Sequence, residues 1–338
     1  MIPIMIPSKN RADVDRNKTL RCIFQSFPEG ADINDVILVV EPQDEAAYRA
    51  TFPQIKNYLI LPENNQGIAY VRQFILQETA RRGIEWYWML DDDIEHCGSF
   101  FVDDEGFASR GEPHYNKKGG IREWRLKLYD ELRICEKEMI AVPNLGQGCL
   151  EYRPMSYFAF ANGDRWGKGT YADVAVLCNS KRLLEKGCTY RRSLGLKEDR
   201  DFTAQVLSVG LETRRYRALF FSVPKNGTNV GGLHDIYAVD GKEVASCKQC
   251  IEIWGENAKL QEKFRRKQLS VAAKVSKYKE EGMTPDEAKL KATQEFDDDN
   301  KGEILERIDV KFNWGKIRKM NLPMSTAFAE RSNYQFNL

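Results

Sequence analysis

Short apolar runs recur through the first 90 residues, and each is rich in β-branched or aromatic side chains. They are residues 1–7, "DVILVVE" at 35–41, "YLILP" at 58–62 and "WYWML" at 86–90. Runs without polar alternation are typical of parallel strands that are covered on both faces. The segments between them, residues 13–27 and 67–83, carry apolar residues at helical spacing. This order predicts an α/β domain with a mostly parallel sheet.

The same kind of pattern continues to about residue 240. An amphipathic helix is predicted over residues 122–139, and a strand followed by a helix over 171–187. A further helix is predicted after the acidic stretch at 198–201, and a further strand over 212–224. The α/β domain is therefore expected to span residues 1–240.

The composition changes after residue 240. Residues 241–300 are rich in Lys and Arg and show almost no strand pattern, which predicts a basic helical subdomain of helix-turn-helix type. Within it, Thr284 is placed to cap a helix that has Pro285 at its first position and Glu287 to complete a capping box. Residues 301–338 are expected to form a tail that packs back on the first domain.

Charge and hydropathy limit the partners and the compartment. The formal net charge is +1, so a polyanionic partner would have to meet a local patch. No apolar run approaches the ~20 residues that a membrane-spanning helix needs, and the apolar start is too short for a signal peptide. Together with eight scattered cysteines, this favours a cytoplasmic protein with reduced thiols and no membrane partner. Cys247 and Cys250 have zinc-ligand spacing, but no second pair follows, which favours two ordinary thiols.

Polar residues follow all four of the first predicted strands. These are "PSKNR" after the first, Glu41 after the second, "ENNQG" after the third and Asp91–Asp93 after the fourth. Ligands bind beyond the carboxyl ends of parallel strands, so these residues are expected to line one site. Three clustered carboxylates suit a hard divalent cation. If the strand continues, Asp91 and Asp93 point the same way and share an ion while Asp92 faces elsewhere; a helix N-cap or a solvated turn is the alternative.

The motif order resembles the GT-A glycosyltransferases, whose fold is a Rossmann-like α/β domain with a mostly parallel sheet. An Asp-x-Asp strand end follows a "PSKNR" loop and a "GIAYVR" helix start. The resemblance implies that Asp91 and Asp93 hold Mn²⁺ or Mg²⁺ against the diphosphate of a UDP-sugar. It also implies a set of residues that contact the donor nucleotide: Pro7, Ser8, Asn10, Arg11, Glu41, Gly67, Ala69, Arg72, Asp91 and Asp92.

Two downstream motifs agree with this resemblance. In "GLKEDRDF", it implies that Asp199 is the catalytic base, with Glu198 as the second choice. Helix N-termini favour acidic residues for dipole reasons alone, so a purely structural role is the alternative. In "NGTNVGGLHD", it implies that His234 is a third metal ligand; a structural histidine is the alternative, and His96 is a weaker rival for the ligand role.

A narrower resemblance concerns the family within this fold. "PSKNRAD", "NNQGIAYVRQ", "YWMLDDDI", "KEDRDF" and "NGTNVGG" resemble the glycosyltransferases associated with TET/JBP hydroxylases in bacteriophages and kinetoplastids. The resemblance covers residues 1–235. It implies transfer of a sugar to hydroxymethylated pyrimidine in DNA, with 5-hydroxymethylcytosine as the favoured base. It further implies a functional link to a TET/JBP-type hydroxylase or a hydroxymethylase, and host cytoplasm as the location if a phage encodes the chain.

Basic and aromatic residues indicate where DNA would be held. The basic residues expected to contact phosphates are Lys259, Lys263, Arg265, Arg266, Lys267, Lys274 and Lys277. An ordinary solvated helix face is the alternative for this set. The aromatic candidates for stacking on an extruded base are Tyr152, Tyr157, Phe158 and Trp166, with core packing as their alternative role.

Three other functions remain open at the level of sequence. The first is a glycosyltransferase that acts on a protein or polysaccharide, which differs only in its acceptor. The second is an inactive DNA-binding protein on a GT-A scaffold, although both Asp91 and Asp93 are retained. The third is a nucleotidyltransferase, which would release pyrophosphate and also presents carboxylates to a metal at a strand end.

Overall fold

The computed structural model describes residues 1–169, 171–224, 229–232, 239, 241–265, 271–299 and 304–327. Two compact units divide the chain. Unit 1 comprises residues 1–242 and 312–338, and unit 2 comprises residues 243–311. No helix in the described ranges has the length and apolar character needed to cross a membrane.

The described elements alternate between strands and helices. The strands are β1 (Ile4–Pro7), β2 (Ile33–Val40), β3 (Ile55–Ile60), β4 (Trp86–Leu90), β5 (His96–Ser99), β6 (Glu112–Tyr115), β7 (Ile121–Leu126), β8 (Leu145–Tyr152), β9 (Trp166–Lys168), β10 (Ala175–Asn179), β11 (Glu212–Ser222), β12 (Ala258–Arg265) and β13 (Ile304–Phe312). The helices are α1 (Lys18–Phe24), α2 (Glu45–Thr51), α3 (Ile68–Arg81), α4 (Glu105–Arg110), α5 (Leu128–Ile140), α6 (Arg153–Ala161), α7 (Ser180–Glu185), α8 (Glu198–Ser208), α9 (Lys242–Trp254), α10 (Val271–Glu280), α11 (Pro285–Asp299) and α12 (Trp314–Arg318).

Unit 1 is built around one 11-stranded sheet. Its strand order is β3-β2-β1-β4-β10-β8-β11-β5-β7-β6, and β9 pairs with β11 outside this path. The pairs β1–β2, β2–β3, β1–β4 and β8–β11 are parallel, whereas β10 runs antiparallel to both β4 and β8. The strands that run in the majority direction are β1, β2, β3, β4, β7, β8 and β11. The predicted α/β class with a mostly parallel sheet is therefore confirmed.

The sheet separates two apolar layers, and β4 contributes to both. Trp88 and Leu90 pack in the layer with α1 and α5, while Tyr87 and Met89 pack in the layer with α3 and α8. All four side chains are at most 3% exposed. A strand that is buried on both faces explains why residues 86–90 show no polar alternation.

Unit 2 contains strands where the sequence pattern predicted helix. Residues 258–265 form β12, which pairs with β13 in a two-stranded sheet. The prediction of an all-helical segment is wrong here, because Ala258, Leu260 and Phe264 recur with the period of two that suits a strand. The helical part is α9, α10 and α11. The capping box is present: the backbone N–H of Thr284 donates to Glu287 at 3.1 Å, and the N–H of Glu287 donates to the Thr284 hydroxyl at 3.4 Å.

A second difference from the pattern lies in unit 1. Residues 121–126 form β7, and the predicted helix at 122–139 is helical only from Leu128 onward, as α5. In β7, Trp124 and Leu126 are buried on one face, whereas Arg125 between them lies on the other face and has a side chain that is 32% exposed. This two-residue period matches the strand, and the pairing of β7 with β5 adds it to the sheet.

The segment after Phe312 packs within unit 1 against α8. The backbone N–H of Leu322 donates to the Ser208 carbonyl at 2.6 Å. The Ser325 hydroxyl donates to the Gln205 side chain at 2.5 Å, and Arg191 donates to the Thr326 hydroxyl at 2.8 Å. These bonds attach the described C-terminal residues to the helix that begins at Glu198.

Candidate active site

The loop after β1 reaches the acidic turn after β4 through Ser8. Its hydroxyl donates to the Asp92 carboxylate and lies 2.6 Å from the Tyr48 hydroxyl. Asn17, which is fully buried, donates to the same Ser8 oxygen at 3.2 Å. Pro7 ends β1 beside Val39 of β2, and Ser8 begins the loop while its backbone N–H still donates to the Val39 carbonyl at 3.0 Å. A buried polar cluster therefore fixes two of the predicted strand ends together.

Arg11 joins this cluster to the glycine-rich segment at 229–232. Its guanidinium pairs with Asp92 and donates to the carbonyls of Asn229, Val230 and Gly231 at 3.0–3.1 Å. A Cβ at position 231 would lie 2.9–3.0 Å from the Arg11 side chain and the carbonyls of residues 9 and 10. Gly231 also has φ +91°. Glycine is therefore required there by both space and backbone conformation.

The ends of β2 and β3 meet at Glu41. Its carboxylate, which is nearly buried, accepts from Lys9 at 3.1 Å, from Gln43 at 2.6 Å and from the backbone N–H of Asn65 at 2.9 Å. Asn10 has a left-handed backbone (φ 56°), and its N–H donates to Asp44 at 3.1 Å. The four strand ends that the sequence predicted to converge are thus linked by direct contacts.

The acidic turn is shaped by a residue that the sequence did not single out. β4 ends at Leu90, and the Thr19 hydroxyl then donates to the Asp91 carbonyl at 2.6 Å and accepts from the Ile94 N–H at 2.9 Å. The Thr19 N–H donates to the Asp92 carbonyl at 3.3 Å. Asp91 to Asp93 therefore lie in a turn rather than on a continued strand. Thr19 lies 72 positions from Asp91 in sequence, so only the fold reveals the contact.

The three aspartates of the turn differ in environment. The Asp92 side chain is 7% exposed, forms an ion pair with Arg11 and accepts a hydrogen bond from the Ser8 hydroxyl. The side chains of Asp91 and Asp93 are 31% and 26% exposed. Burial, followed by the charges of Asp91 and Asp92, raises the pKa of Asp93 to about 7. Asp91 and Asp93 are thus the carboxylates of the turn that a ligand can reach. The turn carries three carboxylates, and among the described residues two guanidinium groups, those of Arg11 and Arg72, pair with them.

This donor set fits a divalent cation that shares its ligands with a substrate. No group of three or more His, Cys, Asp or Glu side chains within the described ranges is arranged to hold a metal. Two carboxylates with room for other oxygens suit Mg²⁺ or Mn²⁺, which keep several waters and take phosphate oxygens. His234, the third ligand implied by the resemblance, lies outside the described residues.

Arg72 connects the acidic turn to the start of α8. It lies on the first turns of α3, which begins after Gly67 in a left-handed conformation (φ 84°) and buries Ala69. The Arg72 guanidinium donates to Asp91 and to Glu198, each at 2.8 Å. Arg72 is 6% exposed and Glu198 4%. The two acidic motifs, 107 positions apart in the chain, are therefore held by one buried cation.

The acidic start of α8 presents two carboxylates with different surroundings. Glu198 is buried, and burial raises its pKa to about 7 while Arg72 acts in the opposite direction. Asp199 is partly exposed, and its carboxylate accepts from the backbone N–H of Arg200 at 2.8 Å. Glu198 forms an ion pair with Arg72, whereas the Asp199 side chain is partly exposed to solvent. Of the pair, Asp199 is the more exposed carboxylate.

Asp173 is a site residue that sequence reasoning missed. It precedes β10, whose first residue Ala175 pairs with Leu90 at the end of β4. Its carboxylate accepts from Arg215 at 2.9 Å, and burial raises its pKa to about 6, with the charges of Asp199 and Asp91 adding to this effect and Arg215 opposing it. Burial and the charges of Asp173, Asp91 and Asp199 also raise the pKa of Tyr152. These side chains therefore lie within electrostatic range of one another.

The backbone next to Asp173 is strained at a point that touches the acidic turn. Val174 has φ 61°, which is a rare conformation for a β-branched residue. Its carbonyl accepts from the backbone N–H of Asp91 at 2.8 Å. Strain of this kind persists where surrounding contacts hold it and clusters at functional sites. The strained residue, Val174, therefore follows Asp173 directly and holds the backbone of Asp91 by a hydrogen bond.

The predicted DNA-contacting residues belong to unit 2 and do not share one helix face. Lys259, Lys263 and Arg265 lie on β12, and Lys259 is exposed. On α10, Lys274 is buried and pairs with Glu295 at 3.3 Å, whereas Lys277 is exposed and lies 3.7 Å from Glu281. Arg266 and Lys267 lie outside the described residues. The patch therefore combines a strand and a helix.

Comparison with known families identifies the class of the protein. The chain belongs to the TET-associated glycosyltransferase family, whose model matches residues 2–232. The family resemblance drawn from the motifs and the glycosyltransferase class are thereby confirmed. The match covers the strand-end loops, the acidic turn and the acidic start of α8, and it ends within the glycine-rich segment. No curated protein matches the sequence.

Several solved structures are similar to this chain. S. aureus TarS 1–349 in complex with UDP has a TM-score of 0.40 and 13% identity, covering 75% of this chain and 66% of that one. The Pyrobaculum calidifontis mannosyltransferase PcManGT with GDP-Man and Mn²⁺ has a TM-score of 0.41 and 12% identity, covering 98% and 85%. Glucosyl-3-phosphoglycerate synthase from Mycobacterium tuberculosis with Mn²⁺, UDP and phosphoglyceric acid has a TM-score of 0.40 and 11% identity, covering 78% and 83%. UDP, GDP-Man, Mn²⁺ and phosphoglyceric acid are ligands of those three proteins.

Proposed function

We propose that this protein transfers a sugar from a UDP-sugar to the hydroxymethyl group of a 5-hydroxymethylpyrimidine, most favourably 5-hydroxymethylcytosine, in DNA, with a GT-A-type mechanism. The observation that carries the proposal is the joining of Asp91 and Glu198 by Arg72. It brings the acidic turn and the acidic start of α8 to one edge of the sheet. Membership of the TET-associated glycosyltransferase family supports the choice of DNA as acceptor.

The donor would bind on the loops after β1, β2 and β3. Ser8 and Arg11 shape the loop that faces Asp92, and Glu41 holds the loops of Lys9 and Asn65 in place. Gly67 opens α3, whose N-terminal N–H groups suit an anionic diphosphate. These contacts would orient the nucleotide with its diphosphate toward the cation that Asp91 and Asp93 would hold.

Asp91 and Asp93 would hold Mn²⁺ or Mg²⁺, with His234 as a further ligand. When bound, the ion supplies positive charge against the leaving diphosphate. Asp199 accepts the proton of the hydroxymethyl group as its oxygen attacks the anomeric carbon of the sugar. The bond from that carbon to the diphosphate oxygen breaks, and UDP leaves. The ion pairs of Arg72 with Asp91 and Glu198 would keep the acidic turn and the start of α8 in fixed positions during this step.

The test is release of UDP with two acceptors that differ in one group. The protein, Mn²⁺ and a UDP-sugar are incubated with the same oligonucleotide carrying either 5-hydroxymethylcytosine or cytosine. UDP release that depends on the hydroxymethyl group, and that is lost in Asp199→Asn, supports the proposal. Equal release with both oligonucleotides would point to a different acceptor. Release of pyrophosphate in a separate incubation with UTP and a sugar 1-phosphate would identify a nucleotidyltransferase instead.

A further inference from the structure

A hairpin and a helix in unit 1 present basic and aromatic side chains that no step above uses. The hairpin is β6 and β7 with the turn between them, and residues 112–126 contain four basic side chains and two carboxylates, Glu112 and Glu123. Glu123 is fully buried, so it adds no negative charge to the surface. Lys117, Lys118 and Arg122 are exposed, as is Tyr115. The outer edge of the sheet is therefore locally positive although the whole chain is near neutral.

Helix α6 continues this surface with apolar rings. Tyr157 and Phe158 are 55% and 59% exposed, and α6 carries no acidic residue. The two rings lie 6.1 Å apart at an interplanar angle of 72°. Singly exposed apolar residues are ordinary, whereas adjacent exposed apolar side chains of this kind mark interaction surfaces. Together they offer two differently oriented ring faces beside the basic hairpin.

The hairpin and α6 are fixed to each other by the buried Glu123. Arg153, at the start of α6, donates to Glu123 at 2.5 Å, and Arg125 of β7 pairs with it at 2.7 Å. Each of the two guanidiniums remains about a quarter to a third exposed. Two cations share one carboxylate, which leaves a net positive charge at the junction. Glu123 therefore joins β7 to the start of α6 at a positively charged junction.

A chain of rings leads from this surface to the acidic turn. Tyr157 packs edge-on against Phe100 at 5.4 Å, and Phe100 lies 4.9 Å from Phe220. Phe220 in turn contacts His96 edge-on at 5.9 Å. His96 begins β5, three residues after Asp93. Phe100 and Phe220 are buried, so this packing ties Tyr157 of α6 to the strand that follows the acidic turn.

We propose that the β6–β7 hairpin and α6 form the acceptor-docking surface, which holds one strand of DNA with its bases unstacked. Lys117, Lys118 and Arg122 contact phosphates, while Tyr157 and Phe158 stack on bases next to the one that is modified. Charge complementarity selects a polyanion, and exposed rings select a strand whose base faces are free. The inference rests on the proposed function for its choice of DNA as the acceptor, and it adds the place where that acceptor binds.

The test measures DNA binding separately from sugar transfer. Fluorescence anisotropy of a labelled single-stranded oligonucleotide and of its duplex is recorded with the full chain and no donor. Tyr157→Ala/Phe158→Ala is expected to weaken single-strand binding by about tenfold or more, because each stacked base contributes ~1–3 kcal/mol. Lys117→Ala/Lys118→Ala/Arg122→Ala is expected to weaken binding to both probes and to reduce the steepness of the salt dependence by about 2.

The matched controls lie outside the docking surface. Lys56→Ala removes an exposed cation from β3 at the opposite edge, and Ile140→Ala removes an exposed apolar side chain from α5. Both controls are expected to bind DNA as the unaltered protein does. Equal affinity of the Tyr157/Phe158 variant and the Ile140 control, or absence of single-strand binding by the unaltered protein, would overturn the docking surface. Binding that depends on these residues without any sugar transfer would instead overturn only the proposed function.

Discussion

Arg72 makes two ion pairs at 2.8 Å, one with Asp91 and one with Glu198, while only 6% of its surface is exposed. Removing one partner of a buried pair leaves an uncompensated charge and costs about 3–5 kcal/mol. Arg72→Ala is therefore expected to lower the free energy of unfolding by about that amount and to abolish sugar transfer. Denaturant unfolding and a UDP-release assay measure the two effects.

The matched control for Arg72 is Arg192. Arg192 is exposed and donates to Gln66 at 2.7 Å, near the same loops. Arg192→Ala is expected to change stability by less than about 1 kcal/mol. Arg72→Lys is informative as well, because a single ammonium lacks the fork that reaches both carboxylates. A fully stable and active Arg72→Lys protein would show that bridging is unnecessary.

Removal of the cation or of its ligands is expected to stop turnover. EDTA, Asp91→Ala and Asp93→Ala should each abolish sugar transfer, because Asp91 and Asp93 are the exposed carboxylates of the acidic turn. Titration of Mn²⁺ followed by electron paramagnetic resonance should show weakened binding in both variants. Glu95→Gln is the control, since Glu95 follows the turn and pairs with Lys18 at 2.7 Å. Transfer that survives EDTA and both substitutions would refute the metal assignment.

Asp199→Asn is expected to lower kcat by about 10²–10⁴-fold, which is the usual contribution of a general base. The KM for the donor should change little, because Asp199 is assigned to the acceptor hydroxyl and not to the nucleotide. Glu198→Gln tests the second choice: Glu198 is buried against Arg72, so its loss should mainly reduce stability. A larger kcat loss in Glu198→Gln than in Asp199→Asn would exchange the two roles.

The raised pKa of Asp173 predicts how stability changes with pH. Burial raises this pKa from 3.8 to about 6, so the folded protein holds the proton more tightly than the unfolded chain does. The contribution of protonated Asp173 to the free energy of unfolding is therefore present in full below about pH 4. It is lost as the pH rises through about 6. Asp173→Asn is expected to reduce the loss of stability over this interval. Parallel pH profiles of the free energy of unfolding for both proteins would contradict the assignment.

The strands and their polar ends could be predicted from the sequence because the relevant signals are local. Residues 86–90 are apolar at every position, and the structure places β4 at these residues. The polar residues that follow the strands had to converge once the strands were parallel. The capping box at Thr284 and Glu287 is likewise a short-range pattern, and it is present.

The missed features depend on contacts between distant residues. Thr19 lies on α1 and looks like any helix-surface threonine until the fold brings it to Asp91. Asp173 gains its role because β10 runs antiparallel beside β4, and the sequence gives no sign of that direction. β12 was mistaken for helix because its charged residues hide the two-residue period of Leu260 and Phe264. Side chains fixed by tertiary contacts therefore need the structure.

Mass spectrometry of nucleosides tests the central claim most directly. DNA containing 5-hydroxymethylcytosine, and matched DNA containing 5-hydroxymethyluracil or cytosine, is incubated with the protein, Mn²⁺ and a panel of sugar nucleotides, then digested and analysed. The account predicts a new nucleoside heavier than a hydroxymethylated one by one sugar residue, formed with a UDP-sugar and absent with cytosine DNA or with Asp93→Ala. Unchanged hydroxymethylated nucleosides with every donor, from a protein that still consumes a sugar nucleotide, would contradict it.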